Sequence, residues 1–269
     1  MRYAVSNIAL TAFDHLDELP RIAELGIDGI EIAPSRIWRE TWQGLSPADI
    51  DAYRRALEAA GLEAVGLHSL FFDHPELGLF RDPAGRAKTL DFLVHLSAMC
   101  RDLGGKTLIW GGGRQRGDIG PEDAFAESVD FMTDLCDRIS SHGTVFCFEP
   151  LGPQSTDFIN TARDSLDIVR AVDHRALAVQ LDAKALFQND EVTLDPFKVV
   201  AERLVHFHAN EPDLGILGTS GDIDHAAMGG FLRAVGYDRF VSIEQRQLDT
   251  GMPVENVSQS LELLKRCYG

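Results

Sequence analysis

The sequence predicts an α/β chain folded as a single (β/α)₈ TIM barrel over residues 1–269, with the active site at the carboxyl ends of the strands. Short apolar runs alternate with longer amphipathic segments, which indicates parallel strands joined by helices. Eight such pairs of about 30 residues each fit a closed barrel of ordinary size. No GxGxxG follows the first strand and no phosphate-binding P-loop occurs, so the usual signatures of a nucleotide-binding open sheet are missing.

Each predicted strand is a short apolar run, and a predicted helix follows it. The strands are expected at Tyr3–Ile8, Gly29–Ile32, Glu63–His68, Thr107–Trp110, Thr144–Glu149, Ala176–Asp182, Leu204–His208 and Phe240–Glu244. The helices are expected at Leu16–Leu25, Pro47–Ala60, Ala84–Leu103, Ala124–His142, Ser165–Val172, Pro196–Glu202, His225–Val235 and Val254–Cys267. Glycines follow four of the helices, where a left-handed residue is common: Gly26, Gly61, Gly104 and Gly236.

The composition is that of an acidic globular protein. The 42 acidic and 25 basic side chains give a formal net charge of −17, which repels nucleic-acid phosphates and anionic membrane surfaces. No apolar run reaches the roughly 18 residues of a membrane span, and the first residues lack the apolar stretch of a secretory signal. The four cysteines have no metal-binding spacing, so we interpret them as reduced, buried thiols of a cytoplasmic protein.

Polar residues end four consecutive predicted strands, the fifth to the eighth. Each is separated from the next by one strand–helix unit, so all four side chains are expected to converge on one rim of the barrel. Three clustered carboxylates repel one another unless a cation offsets the repulsion. The set therefore predicts one divalent metal ion, with Mn²⁺ or Mg²⁺ favoured by the mostly hard donors and Co²⁺ or Zn²⁺ allowed. The predicted ligands, 33, 26 and 36 residues apart, are Glu149, Asp182, His208 and Glu244.

Around these ligands the chain resembles the xylose-isomerase-like TIM-barrel superfamily, in particular its sugar phosphate isomerases and epimerases, which include ketose 3-epimerases. The resemblance covers nearly the whole chain. It rests on FCFEP at 146–150, VQLDAKA at 179–185, VHFHANEPD at 205–213 and FVSIEQR at 240–246. The resemblance implies the same four metal ligands. It also implies that Glu149 and Glu244 form an acid/base pair on opposite faces of a carbohydrate substrate and work through an enediolate-like intermediate.

Two departures from the ketose 3-epimerase pattern concern the substrate. Those enzymes carry a substrate-binding His three residues after the metal Asp and an Arg six residues after the metal His. Here these positions hold Ala185 and Leu214, so a free ketohexose does not follow from the resemblance. Basic residues near the expected rim are instead candidates to bind a phosphate or carboxylate of the substrate: Arg114, Arg116, Lys184 and Arg246.

Other strand-end residues are expected to contact the substrate or to support the ligands. His68 and Trp110 are predicted to line the pocket, and Glu211 is also assigned to substrate binding. Glu31 remains open between a substrate contact and a support for the ligands, and His206 is expected in the core or behind them.

Aromatic residues in the rim loops are expected to form the wall of a sugar site or an oligomer contact. They are Trp38, Trp42, Phe71 and Phe72. A homodimer or homotetramer is therefore compatible with the sequence.

The sequence leaves three functions open. We favour a metal-dependent isomerase or epimerase of a small keto-sugar, sugar acid or sugar phosphate. A metal-dependent dehydratase of a keto-inositol or keto-sugar shares the first proton removal, so the sequence does not separate the two. An endonuclease IV-like DNA-repair enzyme would need further histidines for three zinc ions. Trp110, Ala185 and the negative charge argue against that function.

Overall fold

The computed structural model describes residues 1–248 and 251–269, and within these residues eight parallel strands close into a barrel. The strand order follows the chain, and the barrel closes where the last strand pairs with the first. The strands are β1 (Arg2–Ser6), β2 (Gly29–Ile32), β3 (Glu63–Leu67), β4 (Thr107–Trp110), β5 (Val145–Phe148), β6 (Leu177–Asp182), β7 (Leu204–Ala209) and β8 (Phe240–Ile243). The predicted (β/α)₈ barrel is confirmed.

Helices connect the strands and pack around them. They are α1 (Glu18–Glu24), α2 (Pro47–Ala60), α3 (Pro83–Asp102), α4 (Pro121–Arg138), α5 (Ala162–Val172), α6 (Ala183–Gln188), α7 (Leu194–Val200), α8 (His225–Ala234) and α9 (Pro253–Tyr268). Helices α2, α3, α4 and α9 begin with proline, whose missing N–H is not needed in the first turn. The four predicted glycines all adopt a left-handed backbone, with φ between 71° and 87°.

The structure departs from the sequence prediction after the first and sixth strands. β1 ends at Ser6, and Asn7–Ala9 form a 3₁₀ turn, so this strand is shorter than predicted. Helix α6 has no counterpart in the prediction, because six residues are too few to show helical periodicity. Asp182 sets its start: the Oδ1 atom of Asp182 accepts a hydrogen bond of 2.7 Å from the backbone N–H of Ala185.

The barrel interior is polar beneath the carboxyl-terminal rim. Glu31 of β2 contacts His206 and His208 of β7 and Ser242 of β8. Since β2 borders neither β7 nor β8, these contacts must cross the interior. All four side chains are buried. The fold therefore holds a layer of titratable groups directly under the predicted metal site.

The cysteines are all free and buried, as the sequence predicts. In residues 1–248 and 251–269, no helix has the combination of length and apolar character needed to cross a membrane.

Candidate metal centre and active site

The four predicted metal ligands meet at the carboxyl-terminal end of the barrel, around the imidazole of His208. Its Nδ1 atom lies 3.1 Å from Oε1 of Glu149, 3.6 Å from Oδ2 of Asp182 and 3.7 Å from Oε2 of Glu244. The strands explain this convergence, because β5 to β8 are consecutive and each ligand lies within one residue of the end of its strand. Three carboxylates thus lie within 3.7 Å of one imidazole nitrogen.

The chemistry of this donor set fits a divalent cation. Glu149, Asp182 and His208 each offer one ligand atom, and these atoms all lie within 4.8 Å of one another. Burial lowers the pKa of His208, but the carboxylates of Glu31 and Glu244 outweigh it and raise that pKa well above its usual value. The surroundings of the His208 imidazole therefore favour positive charge, which a metal ion bound at Nδ1 would supply in place of a proton.

Glu31 and His206 support His208 from below. The Nε2 atom of His208 lies 3.0 Å from Oε2 of Glu31, and Nε2 of His206 lies 3.1 Å from Oε1 of Glu31. Ser242 donates a further hydrogen bond of 2.8 Å to Glu31. A carboxylate at Nε2 holds the proton on that nitrogen and leaves Nδ1 free as a metal ligand. Both residues lie behind the ligands, which matches the supporting roles considered for them from the sequence.

Asn210 is a site residue that sequence reasoning missed. Its Nδ2 group donates to Oδ2 of Asp182 at 2.6 Å and to Oε2 of Glu244 at 2.7 Å. Its Oδ1 atom accepts from the backbone N–H of Lys184 at 2.9 Å. The available signal was its position two residues after His208, which places both side chains on one face of an extended chain. Asn210 thus fixes two of the predicted ligands relative to each other.

Glu149 and Glu244 differ in proton affinity. Burial raises the pKa of Glu149. Burial also pushes the pKa of Glu244 upward, but His208 and His68 outweigh it and lower that pKa to about 2. The surroundings thus push the two carboxyl groups in opposite directions, a pattern common in acid/base pairs.

Gly111 lies directly beside the carboxylate of Glu149. A Cβ atom on Gly111 would overlap Oε2 of Glu149, whereas a Cβ on Gly112 would meet no heavy atom within 4 Å. The glycine cluster after β4 therefore makes room for the carboxylate of Glu149.

A cavity of about 370 Å³ opens above the candidate metal centre. His68 lines it as predicted: its Nε2 is hydrogen-bonded to Oγ of Ser6 at 2.5 Å, and its Nδ1 lies 3.6 Å from Oε1 of Glu244. The volume of the cavity is typical of a small-molecule site. Its remaining walls include Phe71, Phe72, Leu151 and the glycines at 111–113. Both glutamates of the predicted acid/base pair line the cavity: Glu149 and Glu244.

Trp110 does not line this cavity, contrary to the prediction from the sequence, and is a core residue. Its side chain is fully buried, and its ring packs against Phe71, Phe131 and Phe148. Its Nε1 group donates to the carbonyl oxygen of Gly112 at 2.8 Å. Trp110 thereby shapes the glycine loop without facing the cavity.

Arg114 is also placed differently from the sequence expectation. Its guanidinium is buried, and burial lowers the pKa of Arg114 to about 10. A substrate anion would have to displace backbone contacts to reach it. The prediction that Arg114 binds the substrate is therefore replaced by a structural role, in which Arg114 holds the loops after β4 and β5 together. The guanidinium donates to the carbonyl oxygens of Trp110, Gly111, Glu149, Phe158 and Ile159.

Glu211 is the third predicted contact that turns inward. It is fully buried and accepts hydrogen bonds from the N–H of Gly218, from Ser220 and from Nε2 of His225 at 2.9 Å. Glu211 therefore anchors the loop between β7 and α8.

The remaining basic candidates lie in different places. Lys184 lines a small cavity of about 150 Å³ beside Asp182. Arg246 lines a separate cavity next to the main one. Arg116 donates to the carbonyl oxygens of Asp157 and Ile119, away from the ligands.

Known proteins are similar to this chain in sequence and in structure. A D-psicose 3-epimerase from Ruminiclostridium cellulolyticum is 27% identical over 117 residues, which are 44% of this chain and 40% of that enzyme. The aligned segment thus spans less than half of the relative's length.

Solved structures resemble the whole chain. The structure of D-psicose 3-epimerase with D-tagatose from Clostridium cellulolyticum H10 has a TM-score of 0.84 and 19% identity, and the match covers 100% of this chain and 99% of the other. The IolI protein with a bound zinc atom has a TM-score of 0.77 and 19% identity, and the match covers 100% of both chains. At these identities the similarity establishes the fold.

A family model described as the xylose isomerase-like TIM barrel matches residues 19–267. This range contains all four candidate ligands and nearly the whole barrel. The resemblance inferred from the motifs is confirmed, and the chain belongs to the xylose isomerase-like TIM barrel family.

Proposed function

We propose that this chain is a divalent-metal-dependent isomerase or epimerase of a small keto-sugar, sugar acid or sugar phosphate. The observation that carries the proposal is the position of Glu149 and Glu244. Both carboxylates line one cavity, and both face Nδ1 of His208. A carbohydrate bound there lies between two groups that exchange protons. The structural match to a D-psicose 3-epimerase with D-tagatose supports the same substrate class.

The two glutamates suit proton transfer at carbon. A hydrogen next to a carbonyl can be removed when the oxyanion that forms is stabilised. One glutamate takes this proton, and the other returns a proton to the opposite face, which inverts the carbon centre. Because β6 and β7 separate β5 from β8, the two carboxylates approach the cavity from different sides. His68 lies close enough to Glu244 to hold a substrate hydroxyl against it.

The candidate ligands would hold one metal ion, which we propose to be Mn²⁺. Oxygen donors outnumber the single imidazole, and such sets favour hard cations. The zinc atom in the IolI structure makes Zn²⁺ the natural comparison. When bound, the ion would polarise the substrate carbonyl and stabilise the developing oxyanion. The residues expected to hold it are Glu149, Asp182, His208 and Glu244.

Solvent exchange tests the proposal. The metal-loaded protein is incubated in D₂O with ketoses, ketose phosphates, sugar acids and keto-inositols, and deuterium is located by NMR. We expect incorporation at the carbon next to the carbonyl of one class. Glu149→Gln and Glu244→Gln should each slow the exchange by about 10²–10⁴-fold. Glu58→Gln, an exposed change on α2, is the matched control.

The outcomes separate the candidate functions. Exchange with recovery of an isomer supports the proposal. Loss of water with an unsaturated product identifies a dehydratase instead. Absence of deuterium in every compound, with the metal bound, contradicts both.

A further inference from the structure

A second cavity adjoins the one above the metal centre. It has a volume of about 410 Å³, and Ser69 and Phe72 line both cavities. It lies beside the loops after β1, β2 and β8 and is also lined by Arg36 and Arg246. The two adjoining cavities, called the groove below, are lined by Glu149 and Glu244 on one side of this boundary and by Arg36 and Arg246 on the other.

Arg36 is held in place with donor capacity to spare. Its Nη2 group donates to the carbonyl oxygen of Leu10 at 2.7 Å and to Oε1 of Gln247 at 2.8 Å. Its Nε atom is buried and makes no hydrogen bond within the described residues. Burial lowers the pKa of Arg36, which shows that its cation is partly desolvated. Nε itself is closed off from the cavity, so an anion bound there would meet the Nη groups of this partly desolvated cation.

Arg246 supplies a second cation to this cavity from the loop after β8. It follows Glu244 by two residues, and its Nε donates to the carbonyl oxygen of Asp213 at 3.2 Å. In the described part of the chain, neither Arg246 nor Arg36 forms an ion pair within 4.0 Å of a carboxylate.

The boundary between the two cavities is aromatic. Phe72 is 77% exposed and lines both. An exposed aromatic ring at this point offers an apolar surface to the carbon chain of a ligand that reaches from one cavity into the other. The groove thus has a carboxylate end, an apolar middle and a cationic end.

We propose that Arg36 and Arg246 bind the anionic end, a phosphate monoester or a carboxylate, of a substrate whose carbonyl end lies between Glu149 and Glu244. This inference rests on the proposed function and names its substrate class. Guanidinium groups match both oxyanions through paired N–H donors.

Kinetics on matched substrates test the inference. The metal-loaded protein is assayed with a ketose, its terminal phosphate and the keto-acid of equal carbon number. We expect kcat/KM to favour at least one anionic compound over the neutral ketose. Arg36→Met and Arg246→Met should each raise KM for that compound about 10–100-fold, as the loss of a charged hydrogen bond predicts. Arg203→Met removes a cation at the start of β7, at the other end of the barrel, and is the matched control.

The kinetic outcomes are decisive for this site. A preference for the phosphate or for the keto-acid identifies which anion the site binds. Equal kcat/KM for charged and neutral compounds overturns the inference, and so does an equal rise in KM for all compounds in both arginine variants. Arg246 is exposed, so Arg246→Met remains informative even if Arg36→Met does not fold.

A binding measurement separates this inference from the proposed function. Inorganic phosphate is titrated into the metal-loaded protein by calorimetry. Binding that is lost in Arg246→Met and kept in Arg203→Met supports the anion site even if no compound exchanges hydrogen in D₂O. Phosphate binding that both variants retain, or that the wild-type protein lacks while it turns over a neutral ketose, overturns the anion site and leaves the proposed function standing.

Discussion

Glu31 and His208 face each other across the barrel interior, with Oε2 of Glu31 3.0 Å from Nε2 of His208. A carboxylate in this position orients a metal-binding imidazole, and its removal usually weakens metal binding about 10–100-fold. We expect Glu31→Gln to weaken Mn²⁺ binding by this factor in a calorimetric titration, with a melting curve to verify the fold. Glu63→Gln, at the exposed start of β3, is the control. Equal affinity in Glu31→Gln and the wild-type protein would show that Glu31 does not support the site.

Metal removal should lower the melting temperature. Without a cation, the carboxylates of Glu149, Asp182 and Glu244 repel one another. An ion at 100 times its Kd adds about 2.7 kcal/mol to the free energy of unfolding, or roughly 5–10 °C for a domain of this size. Melting curves with Mn²⁺ and with EDTA measure the shift. The double variant Asp182→Ala/His208→Ala should lose it, and a full shift in that variant would refute the ligand assignment.

Asn210→Asp should make the protein more dependent on metal. The change replaces a donor shared by Asp182 and Glu244 with a further carboxylate, so like charges meet at 2.6–2.7 Å. We expect a lower melting temperature in EDTA and a larger rise on Mn²⁺ addition than in the wild-type protein. Gln259→Glu, an exposed change on α9, controls for added charge. An unchanged response to Mn²⁺ would contradict the bridging role of Asn210.

Gly111→Ala should weaken metal binding because the new Cβ forces the carboxylate of Glu149 out of its position. A side chain turned off its preferred rotamer loses about 0.5–1.5 kcal/mol, which corresponds to as much as about a tenfold loss of Mn²⁺ affinity. Gly112→Ala is the matched control, since its Cβ meets open space. If both variants bind Mn²⁺ equally well, the crowding at Gly111 has no effect on the ligand.

The buried thiols should be unreactive in the native protein. Burial raises the pKa of Cys100 and of Cys136 to about 12 and also raises that of Cys147. A raised pKa keeps the thiol protonated at pH 8, and the thiolate is the reactive form. We expect these three residues to resist alkylation by iodoacetamide at pH 8 and to react after unfolding, as mass spectrometry would show. Rapid native labelling of Cys147 would contradict its placement inside the barrel.

The strand pattern and the four ligands could be predicted because a barrel places every strand end on one rim. Once the strand ends were assigned, the barrel geometry alone predicted that four ligands would converge: Glu149, Asp182, His208 and Glu244. The strand periodicity also placed His206 on the same face as His208 but deeper in the barrel.

Side-chain direction in the loops could not be predicted in the same way. Trp110, Arg114 and Glu211 follow or end strands just as the ligands do, yet local packing and hydrogen bonds turn them away from the cavity. Arg36 lies in a short 3₁₀ turn after β2, and its place in the same cavity as Arg246 depends on how the loops after β2 and β8 fold together. Such tertiary contacts leave no periodic signal in a sequence.

The two carboxylate oxygens of Asp182 make different contacts. Oδ1 caps helix α6, while Oδ2 faces Nδ1 of His208 and is held by Asn210. The orientation of this carboxylate is therefore set by backbone and side chain before any ion arrives. An incoming cation meets a donor with little freedom to adjust, so ionic radius and coordination geometry, rather than charge alone, should decide which metals the protein accepts.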